Sequence, residues 1–306
     1  MSSPKRHHYV PAFYLAGFTR LRSRDAQFTI YDREKNEFRT QTPDTSAHRR
    51  FYYATEGANG ERDLSIEKFL GELEGAAKPL IDKLASQDAL SVDERATLAL
   101  FFALLHMRVP QFERSLNEVA DLTQKTLNRL QYPTVEEVCA AMREIERERP
   151  FPPSASAEEA FSMLTGDDFR FVPHRNDTVR MMLGMAVDFG VMFDQFTWHI
   201  VHTESGSQFL TIDMPVVLLP PHDWTGERGY GFLTPGTMIL ISLAPECALF
   251  MENAGAATDH RVMPDEGVHI NNKAMVSHSE RYVFARDRAY LERVVTEARL
   301  PEIPRR

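Results

Sequence analysis

Cysteine is scarce in this sequence. Its 306 residues include only Cys139 and Cys247, and neither lies at metal-ligand spacing from a second cysteine. A disulfide framework and a cysteine-bound zinc site are therefore excluded as the basis of the fold. We expect both residues to be reduced core thiols, as in most cytosolic proteins, and we expect the chain to be cytoplasmic.

Long apolar runs and an excess of positive charge are missing too. No segment approaches the roughly 18 uninterrupted apolar residues of a membrane-spanning helix, and the first residues do not resemble a signal peptide, so we expect no membrane association. The 35 Lys and Arg residues are outnumbered by 44 Asp and Glu, which gives a net charge of -9. This balance argues against a broad phosphate-binding surface, because such surfaces depend on many basic contacts. This charge balance does not exclude a local basic groove.

The familiar nucleotide and hydrolase motifs are also absent. The sequence has no Walker A loop, no Gly-x-Gly-x-x-Gly, no Gly-x-Ser-x-Gly, no His-Glu-x-x-His and no Cys-x-x-Cys. These absences weaken interpretations as a nucleoside triphosphatase, a Rossmann dehydrogenase, an α/β-hydrolase or a zinc protease. What remains is an ordinary globular composition, with 43% hydrophobic and 26% charged residues, which is enough for a sizeable core.

Alternating apolar residues predict strands near both ends of the chain. Residues 27–31 and 37–40 read as one hairpin, 196–202 and 208–212 as a second, and 238–243 with 247–251 as a third. A last strand is predicted at 281–284, and the aromatic run 51–53 is a short strand or an anchor. The order of strands, helices and strands predicts an α+β fold, with a mostly antiparallel sheet from the N- and C-terminal thirds around a helical middle.

Helical periodicity dominates the middle of the chain. It begins near Ser65, and Ser91-x-x-Glu94 forms a capping box before a helix that is apolar nearly all round. Pro110 kinks or restarts that helix. An amphipathic stripe follows, formed by Phe112, Leu116, Val119, Leu127 and Leu130. We interpret this stripe as part of the core. Further helices are predicted after Thr134, at 177–193 and at 268–279.

These patterns divide the chain into three regions. We expect N-terminal strands over 1–60, a helical region over 61–195 with a surface loop at 150–157, and a C-terminal sheet with helices over 196–306. The loop is rich in proline and serine, and it interrupts the helical region without separating independent domains. We therefore expect a single domain over 1–306.

Two adjacent histidines close to the N-terminus are the first candidates for chemistry. His7 and His8 precede a series of apolar anchors, so this terminus is tethered where most termini are loose. Histidine is the side chain that most often exchanges protons near neutral pH. Because neighbouring side chains point in different directions, we expect one histidine in a site and the other in a structural hydrogen bond. The alternative is that both only bind backbone carbonyls.

Arg108 and Asp213 are the charged candidates. Arg108 lies on the buried helix, and an unpaired buried charge costs several kcal/mol, so it binds either a substrate phosphate or carboxylate or an internal Asp. Asp213 follows a predicted strand and precedes Pro215, where it either faces a cleft or caps backbone amides in a turn. His199 and His202 lie on opposite faces of a predicted strand, which excludes shared metal chelation. We interpret the loop residues 222–224 as surface decoration.

The scattered residues resemble those of a bacterial domain-of-unknown-function family, number 4238. Members start with His-Tyr-Val-Pro, end a central helix with Arg-x-Pro and carry a Trp-containing strand. They continue with Ser-Asp-Asn-Pro, a Pro-containing strand pair and an Asn helix before a Tyr-Val strand. The matching segments here are 8–11 with Tyr14, Leu15 and Phe18, then 108–110, Trp198, 212–215, 243–245, and Asn272 (or Asn271) before 282–283. One departure is that Ile212 and Met214 replace polar residues of the family.

The resemblance implies that these residues share one site. In that hypothesis His8, with His7, supplies acid-base chemistry, and Asp213 orients the histidine or holds a divalent metal. Arg108 clamps an anionic group, and Asn272 and Trp198 contact the substrate. The departures at Ile212 and Met214 imply a changed site. A divalent metal is the cofactor that such a constellation would take.

Three functions are consistent with this set. The first is a hydrolase acting on a phosphodiester or a nucleotide, such as a nuclease-like effector in a toxin or phage-defence system. The second is a non-catalytic sensor domain that binds an anionic ligand through Arg108. The third is that Arg108, Asp213 and His8 form a buried polar network that only fixes the fold. The partners expected for the first two are a small anionic ligand or a nucleic acid.

Overall fold

A computed structural model describes residues 6–57, 59–148, 155–204 and 206–298. Two compact units are present, one formed by residues 1–111 and 181–306 and the other by residues 112–180. We call them the first and the second unit. Most of the expected loop at 150–157 lies outside the described residues, and the expectation of a single domain stays a prediction.

The chain combines strands and helices along its whole length. The strands are β1 (Arg6–His8), β2 (Phe28–Asp32), β3 (Glu37–Gln41), β4 (His48–Arg50), β5 (Thr55–Glu56), β6 (Arg62–Asp63), β7 (Thr197–Thr203), β8 (Thr211–Ile212), β9 (Val216–Leu219), β10 (Met238–Ala244), β11 (Cys247–Glu252), β12 (Ala257–Met263) and β13 (Tyr282–Ala285). The helices are α1 (Ala12–Ala16), α2 (Ser65–Ala85), α3 (Val92–Met107), α4 (Pro110–Gln131), α5 (Val135–Glu148), α6 (Ala157–Thr165), α7 (Arg175–Asp194), α8 (Asp265–His278) and α9 (Arg288–Glu297). Within the described segments, no helix has both the length and the apolarity needed to cross a bilayer.

The predicted α+β class is confirmed, and the strands of the first unit form two larger sheets. One has the order β3-β2-β13-β8 and joins an N-terminal hairpin to C-terminal strands. The other has the order β12-β7-β11-β10-β9 and comes entirely from the C-terminal third. Neighbouring strands in both sheets are antiparallel, except that β12 runs parallel to β7.

The predicted hairpin between residues 196–202 and 208–212 is wrong. β7 pairs with β11 and β12, whereas only Thr211 and Ile212 form a strand, which pairs with β13 in the other sheet. The backbone N–H groups of Phe209 and Leu210 donate to the Pro245 carbonyl and to Asn272. A buried apolar segment therefore passes between the sheets without completing a hairpin, although its sequence pattern is that of a strand.

Helix signals in the first unit agree with the structure. Ser91 and Glu94 form the expected capping box at the start of α3, and α3 buries most of its surface. The C-terminal part of α7 packs closely on α3, because a Cβ at Gly190 would lie 3.0 Å from the Leu100 Cα. The aromatic run 51–53 is a buried turn after β4, which makes it an anchor and not a strand.

The interpretation of the amphipathic stripe on α4 as core is wrong. Val119, Leu127 and Leu130 are 61%, 53% and 75% exposed. The buried positions of the same helix include Lys125 and Asn128. The periodicity marks a helix correctly, but periodicity does not identify which face the tertiary structure covers.

Candidate functional site

Arg108 lies buried at the C-terminal end of α3 and uses its donors within the protein. Its Nη1 donates to Glu74 Oε1 at 2.7 Å, its Nη2 to the His8 carbonyl at 2.6 Å and its Nε to Tyr53 Oη at 3.3 Å. Burial opposes its charge, yet Tyr53 and Glu74 hold the pKa of Arg108 above its usual value. The sequence predicts an internal Asp as the alternative partner, and the internal carboxylate is in fact Glu74.

His7 lies in the same cluster and is fully buried on β1. Its Nδ1 accepts the Tyr53 backbone N–H at 3.1 Å and lies 3.5 Å from Glu67 Oε2. Its ring also stacks on the Tyr53 ring. Burial raises the pKa of Glu67 to about 7. The tethering of the N-terminus is thus explained by a polar cluster that joins β1 to α2 and to the turn after β4.

The ring of His8 faces away from that of His7, as expected for neighbours on a strand. His8 Nε2 lies 3.3 Å from the Asp44 carbonyl, and the ring meets His48 edge-on. Burial lowers the pKa of His8 to about 4, so the ring is neutral at pH 7. His8 therefore binds a backbone carbonyl, which is the structural alternative that the sequence left open.

Asp213 follows β8 and holds the loop before β13. Its Oδ1 accepts the Glu280 N–H at 3.0 Å, and its Oδ2 accepts those of Arg281 and Tyr282 at 2.7 and 2.9 Å. Burial raises the pKa of Asp213 to about 7, against the effect of these three hydrogen bonds. This geometry is the amide-capping turn that the sequence offered as the alternative to a cleft-facing carboxylate.

Asn272 and Trp198 are also fully engaged by the protein. Asn272 accepts the Leu210 N–H at 2.9 Å and donates to the Gln208 carbonyl and Tyr290 Oη. The Trp198 indole donates to the Phe193 carbonyl at 2.8 Å, and the Arg95 guanidinium covers its ring at 4.2 Å. Both side chains are fully buried.

The structure thus distributes the predicted site among separate positions. His7, Arg108 and the His8 carbonyl share one cluster, whereas Asp213, Asn272 and Trp198 each fix a different stretch of backbone. Their catalytic and substrate-binding roles stay predictions. Elsewhere in the first unit, a cavity offers charged donors that are less fully used.

This cavity has a volume of about 340 Å³ and we call it the arginine cavity. Its lining combines three arginines with one carboxylate, one imidazole and small or buried side chains. The lining residues are Arg20, Arg22, Ala85, His202, Ala244, Glu246, Cys247 and Arg286. The charges on this lining therefore favour an anionic ligand.

The arginines of the cavity are only partly neutralised. Arg286 Nη2 lies 2.5 Å from Glu246 Oε1, but the buried Arg286 Nε–H has no hydrogen-bond partner among the described residues. Arg22 reaches Asp82 and Glu246 at 3.6 and 3.7 Å, and Arg20 reaches Asp287 at 3.8 Å, in each case between exposed side chains. Ion pairs of this kind are weak, so these guanidinium groups can turn to a ligand at little cost.

Arg22 has an unusual backbone. Its φ is +48°, in the left-handed region that costs a non-glycine residue roughly 1–2 kcal/mol. A strained residue at the rim of a cavity is a reason to suspect a function there. The Arg22 side chain lines two cavities at once.

The second of these is a cavity of about 390 Å³, which we call the apolar cavity. It shares Arg22, Ala85 and Ala244 with the arginine cavity, so the two adjoin. Phe13, Tyr14, Ile81 and Leu243 give it apolar walls, and Gly17, Lys78, Asp82 and Ser86 complete it. Together the pair provides one half with three arginines and another that combines apolar walls with Lys78 and Asp82. Small-molecule sites commonly combine apolar walls with a few polar groups.

His202 is the histidine that lines the arginine cavity. Burial and the neighbouring His260 lower its pKa, and its Nε2 lies 3.4 Å from His260 Nδ1. His199 points to the opposite face of β7 and contacts Asp259 at 2.8 Å, as expected from their spacing. In the parts of the chain that the structure describes, no group of three His, Cys, Asp or Glu side chains is arranged for a metal.

Both cysteines are free thiols. Cys247 is buried in the wall of the arginine cavity, and burial raises its pKa to about 12. It is therefore a protonated thiol at neutral pH and a poor nucleophile.

Sequence reasoning missed the arginines of this cavity. Arg20 and Arg22 come from the loop after α1, and Arg286 comes from the end of β13, so nothing in their spacing connects them. One available signal was the segment 243–245 noted in the sequence. Leu243 lines the apolar cavity, and Ala244 lines both cavities.

Comparison with known proteins gives one match. Residues 6–289 match the family model DUF4238, described as a protein of unknown function. The matched range includes both cavities and the cluster around His7, Tyr53 and Arg108. No curated protein and no solved structure matches the chain.

Proposed function

The chain belongs to the DUF4238 family, and because that family is described without an activity, we propose a function from the site itself: the binding of a small organic anion. The ligand class is a phosphate or a carboxylate attached to an apolar or aromatic body, such as a mononucleotide. The observation that carries the proposal is the arginine cavity, whose lining holds three guanidinium groups and one carboxylate. Two more carboxylates, Asp82 and Asp287, lie 3.6 and 3.8 Å from Arg22 and Arg20.

The anionic group would occupy the arginine cavity. Guanidinium groups bind phosphate and carboxylate through paired, charge-assisted hydrogen bonds. Arg286 lines the cavity and pairs there with Glu246 through Nη2. Arg20 and Arg22 are held only by long ion pairs, so the anion gains their donors without breaking strong contacts.

The body of the ligand would occupy the apolar cavity. The two cavities share the small residues Ala85 and Ala244 together with Arg22. Arg22 can therefore contact either end of a ligand that occupies both cavities. Phe13 and Leu243 offer apolar contact to a ring or chain, and Lys78 is another lining residue. A ligand that fills both halves gains charge recognition from one and apolar burial from the other.

The direct test is a thermal-shift and calorimetric screen of inorganic pyrophosphate, mononucleotides, aryl carboxylates and short nucleic acids. At about 100 times its Kd, a ligand stabilises the folded chain by roughly 2.7 kcal/mol. We expect Arg286→Met to lose that shift. Arg288→Met is the matched control, because Arg288 is exposed and contacts only Glu292 and the Phe38 ring in the described structure.

The outcome decides the proposal in either direction. A shift that survives in Arg288→Met and disappears in Arg286→Met supports it. The absence of any shift in the wild-type chain, or an equal shift in both variants, would show that the arginine cavity is not the binding site.

A second candidate function is hydrolysis of a phosphodiester or nucleotide bound in the same place, and His202 favours it. Its pKa is lowered, so the imidazole is neutral at pH 7 and can accept a proton from an attacking water. His202→Asn would then retain ligand binding and lose turnover. Unchanged turnover in His202→Asn would exclude His202 as the base. The role of a nuclease effector in a toxin or phage-defence system stays a prediction.

A further inference from the structure

Helix α4 in the second unit exposes several apolar side chains on one face. Val119, Leu122, Leu127 and Leu130 are 61%, 64%, 53% and 75% exposed. At 100° per residue these four side chains fall within one sector of the helix. Single exposed apolar residues are ordinary, but an aligned set of them marks an interaction site.

The opposite face of α4 is polar and buried within the second unit. Asn128 donates to the Leu164 carbonyl at 2.9 Å, and Lys125 lies 3.0 Å from Asp121. Asp121 in turn accepts the Phe171 N–H at 2.8 Å. Rotation of the helix to bury its apolar face would break these bonds, so the second unit itself fixes the apolar face outward.

The order of residues on this face is symmetric about a point between Gln124 and Lys125. When two copies of α4 run antiparallel about that point, Val119 of one copy lies opposite Leu130 of the other, and Leu122 lies opposite Leu127. Thr123 and Thr126 meet at the centre, and both are exposed. A two-fold symmetric contact requires a face that complements itself in this way.

The charges beside the stripe complement each other in the same register. Glu118 and Arg129 lie on the same flank of the helix, at opposite ends of the stripe, and both are exposed. In an antiparallel pair, residues of the same flank face each other. Glu118 of one copy therefore approaches Arg129 of the other, twice per dimer.

We propose that the exposed face of α4 binds a second copy of this chain, as an antiparallel two-fold dimer. Twelve helical residues span about 18 Å, and a helix is about 10 Å wide, so the contact is well below the ~800 Å² per partner of a standard interface. The dimer is accordingly weak and depends on concentration. This inference is independent of the proposed ligand site, which lies in the first unit.

Sedimentation analysis of the full chain over a wide concentration range tests the proposal. We expect the wild-type chain to pass from monomer to dimer, and Leu122→Glu to weaken the association about tenfold or more. Val187→Glu is the matched control, because Val187 is an exposed valine on α7 in the first unit. A wild-type chain that stays monomeric throughout, or a dimer that Leu122→Glu leaves unchanged, overturns the proposal.

Charge reversal tests the antiparallel register. Glu118→Arg and Arg129→Glu each place like charges opposite one another, so each weakens the dimer, whereas the double variant restores it. Arg129 also donates to the Thr165 carbonyl, and damage from the loss of that bond would persist in the double variant. Restoration therefore supports the register. Failure of the double variant to recover association, when its melting temperature matches that of the wild-type chain, excludes it.

Discussion

In the first unit, helix α3 buries Leu98, Phe102 and Leu105 completely, whereas α4 in the second unit leaves Leu122 and Leu130 mostly exposed. Both helices are rich in leucine, and both begin at clear sequence signals. The difference lies in their surroundings: α3 packs among other apolar elements, and α4 packs its polar face through Asn128 against residues of its own unit. The periodicity of α4 thus specifies a helix without specifying its buried face, whereas the nearly uniform apolarity of α3 indicates burial on most sides.

The largest expected effect comes from one substitution made in both units. Leu105→Ala removes a fully buried side chain, so we expect a loss of about 2–5 kcal/mol in the free energy of unfolding. Leu122→Ala removes an exposed one, so we expect a change within about 0.5 kcal/mol. Urea denaturation at low protein concentration measures both. Equal losses in the free energy of unfolding would show that the α4 face is covered in the monomer, and the proposed difference between the units would then be wrong.

Buried polar groups give the next comparison. Asp213→Ala leaves three amide N–H groups without their acceptor, and we expect a loss of about 3 kcal/mol. Asp213→Asn keeps one acceptor oxygen and should lose less. Lys125→Met in the second unit should lose less still, because Asp121 keeps the Phe171 N–H. Thermal unfolding ranks the three variants by stability. An Asp213→Ala variant as stable as the wild-type chain would show that Asp213 does not stabilise the loop before β13.

The two units contain carboxyl groups whose pKa values are shifted in opposite directions, so their contributions to stability depend on pH with opposite signs. Burial raises the pKa of Glu67 from 4.5 to about 7 in the first unit, whereas its hydrogen bonds hold the pKa of Asp121 below its ordinary value in the second. Glu67 therefore favours the folded state below about pH 4.5, and that contribution is lost as the pH rises through 7. Asp121 has the opposite sign, and its contribution is lost as the pH falls.

The variant Glu67→Gln isolates this effect, because glutamine does not titrate. We expect Glu67→Gln to gain stability relative to the wild-type chain as the pH rises from 5 to 8, by about 1 kcal/mol once solvent screening is allowed for. Melting temperatures of both proteins across this range measure the gain. A difference that stays constant with pH would show that Glu67 titrates normally.

The smallest effect concerns backbone strain, which only the first unit shows among the described residues. All the described non-glycine residues with positive φ lie there, Arg22 among them. Arg22→Gly relieves a left-handed conformation but adds freedom to the unfolded chain, so we expect a net gain of about 0.5 kcal/mol. Arg22→Ala keeps the strain and gains nothing. Both variants should lose anion affinity to the same extent. Retained affinity would show that Arg22 does not contribute to the binding site.

The sequence predicted the parts of the fold that depend on neighbouring residues. The hairpin of β2 and β3, the capping box of α3 and the hairpin of β10 and β11 follow from turns, caps and alternation within about 15 residues. β12 was missed because it is polar and mostly exposed. The strand near residue 208 was misplaced because its backbone donors find partners in distant elements.

The candidate site was harder to predict for the same reason. Histidine and aspartate drew attention because their chemistry is versatile, but His8 and Asp213 bind backbone groups far away in the sequence. The arginines of the cavity come from two distant segments, and no local pattern distinguishes them from other surface arginines. A resemblance to a family brought the right segments together without showing which side chains face a cavity.

The sequence alone determined most of the helices and the hairpins β2–β3 and β10–β11, because capping, turns and periodicity act between residues a few positions apart. It also determined the α+β class and the membership in DUF4238. Only the tertiary structure decided that Arg108 binds Glu74, that Asp213 clamps the chain before β13, that the arginines of two distant segments share a cavity, and that the apolar face of α4 points outward. These outcomes depend on contacts between distant residues, since a buried hydrogen bond or charge takes its value from whichever partner the fold brings to it.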